Sequence, residues 1–394
     1  MLHSPLRGVR IVEQGTFITG PCAAMMLADL GADVIKVESP EGDPYRAYQR
    51  GLYSPHFQAY NRNKRSIACD LKKPADRELF ERLVTDADVY IQNFRPGTAE
   101  RLGAGVKRLR GLNPRLVYCS ISGFGADGPY AERPSYDSVA QALSGFLSVV
   151  VDPERPRFLG PALADAITGI YAATGILGAL VERGTTGQGR VVEVSMFEAM
   201  AHFAVEPFAA FFALGETPKS SDRPRLAQAY ILRTADERLL AIHLSSLEKF
   251  WTGLTTALEA PELGADPRFC ERLLRIQNYE ALGAELDARF RSHPLAHWVA
   301  RLSGNDVPFA PINGVDAVVN DPQARHLGLV VPVEDAIEGG REAVRPALQF
   351  DGRHATSVTA APLLDQHGDA IRGALARAGG WPVALPAAAR RAAG

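Results

Sequence analysis

Short apolar runs alternate with amphipathic segments through the first half of the chain. Val9 to Glu13 reads as a strand, Gly20-Pro21 opens a helix running to about Asp29, and Asp33 to Glu38 reads as a second strand. Ser66 to Asp70, Asp88 to Gln92, Leu116 to Ser120 and Arg190 to Ser195 continue the strands, with a helix over Ala75 to Val84. Apolar runs of this kind, spaced by helices, predict an α/β domain with a mostly parallel sheet covered on its faces. Beyond Asp165, Met196, Met200, Phe203 and Phe208 read as core positions. The composition turns polar around Pro218 to Pro224, which predicts a domain boundary. Past it, Tyr230 to Leu244 reads as a hairpin turning at Asp236-Glu237, followed by helices through Phe250-Trp251, Tyr279 to Phe290 and Leu295 to Leu302. Val307 to Val315 reads as a packed connector, and Pro382 to Gly394 as a mobile or loosely docked tail.

The stretch Phe158 to Leu180 places one acid, Asp165, in a run of small and apolar residues that opens as a helix after Gly160-Pro161. Ala166, Gly169, Ala172, Ala173, Gly175 and Ala179 leave room for another backbone or a thin ligand arm. A buried aspartate needs compensation. A helix cap, an internal salt bridge and a carboxylate nucleophile would each supply a reason for it.

Charge narrows the function classes. The 394 residues carry 43 basic and 45 acidic side chains, a net charge of -2, which gives no support to a nucleic-acid or anionic-membrane surface. No apolar run free of glycine and charge reads as a membrane span, and the first fifteen residues lack a signal peptide's apolar core. Cys22, Cys69, Cys119 and Cys270 are too far apart for a zinc knuckle and read as reduced, cytoplasmic side chains. His293 and His297 share helical spacing, but Pro294 interrupts them and no acid or cysteine stands at metal spacing, so no metal is expected.

Ligands of open parallel sheets gather beyond the carboxyl ends of the strands. Asn93 to Gly97 and Ser122 to Tyr130 are the turn-forming segments expected there. The first turn, with Gly15 and Gly20, superficially suggests a dinucleotide fingerprint with Glu38 as the ribose acid. Its spacing is wrong, because Phe17 and Ile18 occupy the tight phosphate turn. The cluster Arg62, Lys64, Arg65 reads either as a solvated loop or, beside the ligand edge, as a phosphate holder, with Lys36 and Arg46 adding charge.

Several ordered motifs carry a resemblance. GTFITGPCAAMMLADLGADVIKVESPEGDPYR, NRNKRSIACDLK, DVYIQNFRPGTAERLG, YCSISGFGADGPY, YDSVAQALSG, ALADAITGIYAATGILGAL and GQGRVVEVSMFEAM closely resemble the family III CoA-transferases, over residues 6 to 335. The resemblance implies a large Rossmann-like domain from residues 1–215 and 325–394, a smaller α+β domain from 225–320, and two subunits interlocked as rings. It implies coenzyme A or acyl-CoA as substrate, a carboxylic acid acceptor, no permanently bound cofactor, and neither a nucleic-acid nor a membrane partner.

By the same resemblance Asp165 matches the catalytic aspartate, ionised when free. Asn93, Phe94, Arg95 and Arg101 match positions near the nucleotide and pantetheine, while Ile18, Thr19 and Lys36 line the cleft. Ser39 stands where formyl-CoA transferases carry an arginine on the nucleotide, so Arg62, Lys64 or Arg65 are the substitutes expected. Racemases of the family use a histidine where this chain has Tyr136, followed by Asp137. A tyrosine is a poor base at neutral pH, so a transferase is expected, with Tyr136 in the substrate pocket and Asp137 orienting it or a neighbouring backbone. An acyl-CoA racemase and a non-catalytic CoA-binding protein are the alternatives. Ile18 replaces a glutamine, and a run of glycines is missing between Tyr230 and Phe250. Both departures point away from a small oxalate-like acceptor, toward a short or mid-length dicarboxylate with succinyl-CoA as donor.

Overall fold

The structure is a computed structural model that describes residues 4–49, 51–158, 160–246, 248–337, 341–378 and 380–382; the tail from 383 lies outside the described residues. Six parallel strands form the main sheet: β1 (Arg10–Gln14), β2 (Asp33–Glu38), β3 (Lys64–Ala68), β4 (Val89–Gln92), β5 (Val117–Ser122) and β6 (Val191–Ser195). Their order is β3-β2-β1-β4-β5-β6. Successive side chains of a strand face opposite ways. Ile11, Val34 and Val89 accordingly enter one core and Val12, Ile35 and Tyr90 the other. Both faces are covered, which is why the strands read as continuous apolar runs.

The helices of this part of the chain are α1 (Thr19–Asp29), α2 (Pro55–Asn61), α3 (Pro74–Thr85), α4 (Thr98–Arg101), α5 (Val106–Leu112), α6 (Asp137–Leu143), α7 (Leu163–Thr186) and α8 (Met196–Phe203), and α9 (Val205–Leu214) leads into a second compact unit. α7 and α1 pack together on one face of the sheet. A Cβ on Gly169 would stand 2.8 Å from Cys22 Cβ and 3.1 Å from Thr19 O, so glycine is what lets the two helices approach. By length and composition alone α7 is apolar enough to cross a membrane, but Gly169, Gly175 and Gly178 interrupt it. Here Ala172, Ala173, Ile176 and Ala179 bury one side of it in the core. Met196 and Met200 are buried as expected, but Phe203 is exposed and α9 has no buried residue.

One compact unit comprises residues 1–147, 158–205 and 323–394, the other 148–157 and 206–322. The second has its own antiparallel sheet, β7 (Ala229–Arg233), β8 (Leu239–His243) and β9 (Phe309–Pro311), in that spatial order. Tyr230, Leu240, Trp251, Leu286, Phe290 and Trp298 fill its core. β9 lies where sequence predicted only a connector. Pro311 lacks an N–H to pair, and β9 tolerates it because it is an edge strand bonded to β8 alone.

The end of the chain returns to the first unit through β10 (Val330–Glu334), β11 (Glu342–Val344) and β12 (Val358–Thr359), ordered β11-β10-β12. It then covers the free edge of β3. Ser66 N donates to His367 Nδ1 at 3.2 Å, Ala68 N donates to Asp365 Oδ1 at 2.8 Å, and Arg372 donates to Ala68 O at 2.9 Å. Ile371 and Leu375, on the helix Gly368–Ala378, pack into the same core as α3.

Candidate active site

The strand order reverses between β1 and β4, and the crevice at such a switch point is where open parallel sheets bind ligands. Asn93, just past β4, ties the two loops together there. Its Oδ1 accepts from Thr16 N at 2.9 Å, and its Nδ2 donates to Thr16 O and to Thr19 Oγ1, both at 2.8 Å. Phe94 N donates to Gln92 Oε1 at 2.7 Å, and Gly97, with φ 74°, turns the chain into α4. Arg95 and Arg101 are exposed and have no carboxylate partner among the described residues; Arg101 donates only to Thr98 Oγ1. Ile18, buried ahead of α1, and Thr19 complete this edge.

The other predicted cations are committed internally. Lys36 Nζ donates to Gly15 O at 2.6 Å and Glu13 Oε1 at 3.1 Å, and lies 3.1 Å from Asp43 Oδ2, with all three side chains inaccessible. Burial alone would lower its pKa, but Glu13 and Asp43 together raise it. Lys64 Nζ donates to Glu13 Oε2, Pro21 O and Asn61 Oδ1; burial, opposed by Glu13, pushes it down to about 8. Arg62 forks onto Asp29, and Arg65 onto Asp33. These three residues stand at or before the amino end of β3, where Arg62 and Arg65 border a separate cavity of about 1480 Å³. The structure does not bring them to Asn93. Their charges are neutralised by neighbouring acids, which a pattern of basic residues alone does not reveal.

Arg46 and Glu38 form a second buried pair, Nη2 to Oε1 and Nε to Oε2 at 2.7 Å each. Burial would push the Glu38 carboxyl up, but Arg46 and Lys36 hold it below its ordinary value. The acid that imitates a ribose ligand is therefore occupied by Arg46. His293 and His297 stack with ring centroids 4.0 Å apart, and no cluster of three metal-ligating side chains occurs among the described residues.

Asp165 lies on the first turn of α7, partly buried. Asp137, from the first turn of α6, accepts Ala164 N at 2.7 Å and Asp165 N at 3.3 Å on one oxygen, and Gln141 Nε2 at 2.7 Å on the other. Burial first, and the Asp137 charge second, push the Asp165 carboxyl up to about 7. At neutral pH it is therefore poised between acid and carboxylate, whereas sequence reasoning had it fully ionised. Tyr136 is 61 % exposed, its ring edge-on to Phe17 with centroids 6.0 Å apart. Phe17 in turn meets Tyr45 at 5.8 Å. Phe17 adopts φ 59°, a strained conformation for a bulky residue, and Asp43 Oδ1 holds it by accepting its N–H at 3.1 Å.

Sequence reasoning missed most of this wall. Ile18, Cys22 and Tyr45 form a buried cluster with Phe17, Tyr60 and Ala162 packed against it. The Asp165 charge is felt by Cys22, Tyr45 and Tyr60. The hydroxyls of Tyr45, Tyr60 and Tyr136 have no hydrogen-bond partner among the described residues. The signal was the density of aromatic residues between Tyr45 and Tyr60, in the long connection from β2 to β3. Chemically, the site offers a partly buried carboxylate, neutral hydroxyl donors and a switch-point segment bearing two arginines with no carboxylate partner among the described residues.

The family model for CoA-transferase family III matches residues 6–368. The acetyl-CoA:oxalate CoA-transferase of Acetobacter aceti is 34% identical over 375 residues, covering 93% of this chain and 95% of that protein. The human succinyl-CoA:glutarate CoA-transferase is 32% identical over 376 residues, 92% of this chain and 84% of that one. The crystal structure of a CAIB/BAIF family protein from Brucella suis superposes with a TM-score of 0.84 at 36% identity, covering 94% of this chain and 99% of that one. With a parallel sheet, a switch-point crevice and this likeness across nearly its whole length, the chain is a member of the family III CoA-transferases.

Proposed function

We propose that this transferase moves CoA from an acyl-CoA donor, succinyl-CoA, to a dicarboxylic acid, with Asp165 as nucleophile. The observation that carries the reading is the partly buried Asp165 carboxylate, facing a neutral aromatic wall beside the switch-point crevice. An Asp165 carboxylate oxygen attacks the thioester carbonyl, the C–S bond breaks, and CoA thiolate leaves a mixed anhydride. The thiolate then attacks Asp165 Cγ, releasing the donor acid and leaving an aspartyl-CoA thioester. The acceptor carboxylate attacks the same carbon, CoA thiolate departs again, and its attack on the acceptor's carbonyl yields the new thioester and free Asp165. Covalent catalysis divides one hard exchange into easier steps.

Asp137 already occupies the Ala164 and Asp165 amides, so the unpartnered tyrosine hydroxyls are the donors proposed for the developing oxyanions. Asn93, Phe94, Arg95 and Arg101, with the backbone at Ile18 and Thr19, are proposed to bind CoA, and Lys36 to act indirectly by holding Gly15 O. A dicarboxylate longer than oxalate is supported by the human relative's glutarate, although the Acetobacter relative's acceptor is oxalate itself. A homodimer and a reducing, cytoplasmic setting belong to the same reading, the latter supported by four unpaired cysteines.

Intact mass after incubation with succinyl-CoA, with and without hydroxylamine, tests the mechanism. A hydroxylamine-labile CoA adduct mapping to Asp165 and absent in Asp165→Asn is expected. No adduct with any of several acyl-CoA donors, despite CoA binding, would overturn it. Initial rates over a panel of acids test the acceptor, and a clear preference for oxalate or formate over longer dicarboxylates such as glutarate refutes it.

A further inference from the structure

Ala162 begins α7 without a side-chain cap, although the first amides of a helix have no partners within it. Asp137 fills that role from another helix, its Oδ1 taking both Ala164 N and Asp165 N. An acid in the first turn is ordinarily stabilised as its anion by the positive end of the helix. Here a second carboxylate already occupies that end. The other titratable groups that sense Asp165 are Cys22 on α1, Tyr45 in the short helix Pro44–Ala47, and Tyr60 on α2. Burial keeps all three neutral, with Cys22 pushed up to about 11 and Tyr45 to about 12. Asp137 is therefore the charged group that bears on Asp165.

We infer that Asp137 is a positioning residue that holds the first turn of α7 and, by like charge, destabilises the free Asp165 carboxylate relative to its acylated form. The inference rests on Asp165 being the nucleophile. When an Asp165 oxygen bonds the acyl carbon and the electron pair leaves with CoA sulfur, Asp165 loses its charge and the repulsion disappears. The aspartyl-CoA thioester is equally uncharged at Asp165. Asp137 thus favours both covalent intermediates over the resting enzyme, without touching substrate. The raised Asp165 pKa is the same preference seen with a proton in place of the acyl group.

Asp137→Asn separates charge from shape. The asparagine keeps an acceptor for Ala164 N, and Gln141 turns its amide to accept from the new NH2. Carbon-13 carboxyl NMR of the full-length protein, with Asp165 identified by the signal lost in Asp165→Asn, reads the titration directly. Asp165 is expected to titrate at least about one unit lower in Asp137→Asn. The trapped succinyl-CoA adduct is expected to fall several-fold, with the melting temperature at or slightly above that of wild type because the repulsion is relieved. Asp137→Ala, losing the cap as well, is expected to melt lower. An Asp165 titration that does not move in Asp137→Asn, in a protein that melts like wild type, overturns the inference. An Asp165 that forms no adduct in wild type, while its titration still shifts in Asp137→Asn, overturns the nucleophile reading and leaves the charge coupling standing.

Discussion

In the proposed mechanism Asp165 is a place where function opposes stability. Its carboxyl titrates near 7 in the fold against 3.8 in a free chain, so the native state binds the extra proton between those values. Stability linked to this group is full below about pH 4 and is lost as pH rises through about 7. A shift of about three units corresponds to at most about 4 kcal/mol. Partial exposure screens that figure, and about 1–2 kcal/mol is expected. Asp165→Asn removes the titration, so it should be more stable than wild type at pH 8, with the gap closing toward pH 4. Urea unfolding at the two pH values checks this, and an equal gap at both would refute it. Asp165 was conspicuous in the sequence because a lone acid stood among small residues. Its pKa was not, because the second carboxylate arrives from Asp137, 28 positions upstream, through backbone amides that no spacing rule connects.

At the scale of elements, the site depends on how closely α1 and α7 approach. A Cβ at position 169 would meet Cys22 Cβ at 2.8 Å, Cys22 Sγ at 3.0 Å and Thr19 O at 3.1 Å. Two of those three atoms belong to a buried side chain and one to backbone, so the helices must separate to admit a larger residue. Gly169→Val is expected to destabilise the fold by about 2–3 kcal/mol by overpacking. Since Thr19 is also bonded to Asn93, the same change should raise the KM for acyl-CoA more than it lowers kcat. Unfolding and initial-rate measurements on the variant check both, and wild-type stability would sink the argument. The small-residue pattern of α7 was legible because glycine and alanine at helical spacing have few other uses. The partners of Arg62, Lys64 and Arg65 were not, because Asp29, Asp33 and Glu13 meet them only after the sheet is assembled. The third strand of the small sheet was hidden for a different reason, since Pro311 within it and Pro308 just before it suppress a strand signal that edge position permits.

For the whole molecule, the apolar surface is out of balance with the chain's near-neutral charge. Phe203, Val205, Phe212 and Leu214 are 53, 56, 77 and 74 % exposed, and Val181 on α7 is 77 % exposed. α8 and α9 have the composition of core helices, yet among the described residues α9 has none that is fully buried. Exposed apolar side chains concentrated on one helix mark an interaction site, and in the proposed homodimer a second copy of this chain is the occupant of α9. A chain of 42.5 kDa should then migrate with twice that mass in light scattering coupled to gel filtration. Phe212→Glu combined with Leu214→Glu places two buried charges in the interface, and desolvating them unpaired costs several kcal/mol. The double variant should dissociate toward the single-chain mass or aggregate, while its far-UV circular dichroism stays that of a folded α/β protein. A wild-type protein that is monomeric at micromolar concentration overturns the dimer. A double variant that remains dimeric at the same concentration places the dimer interface away from α9.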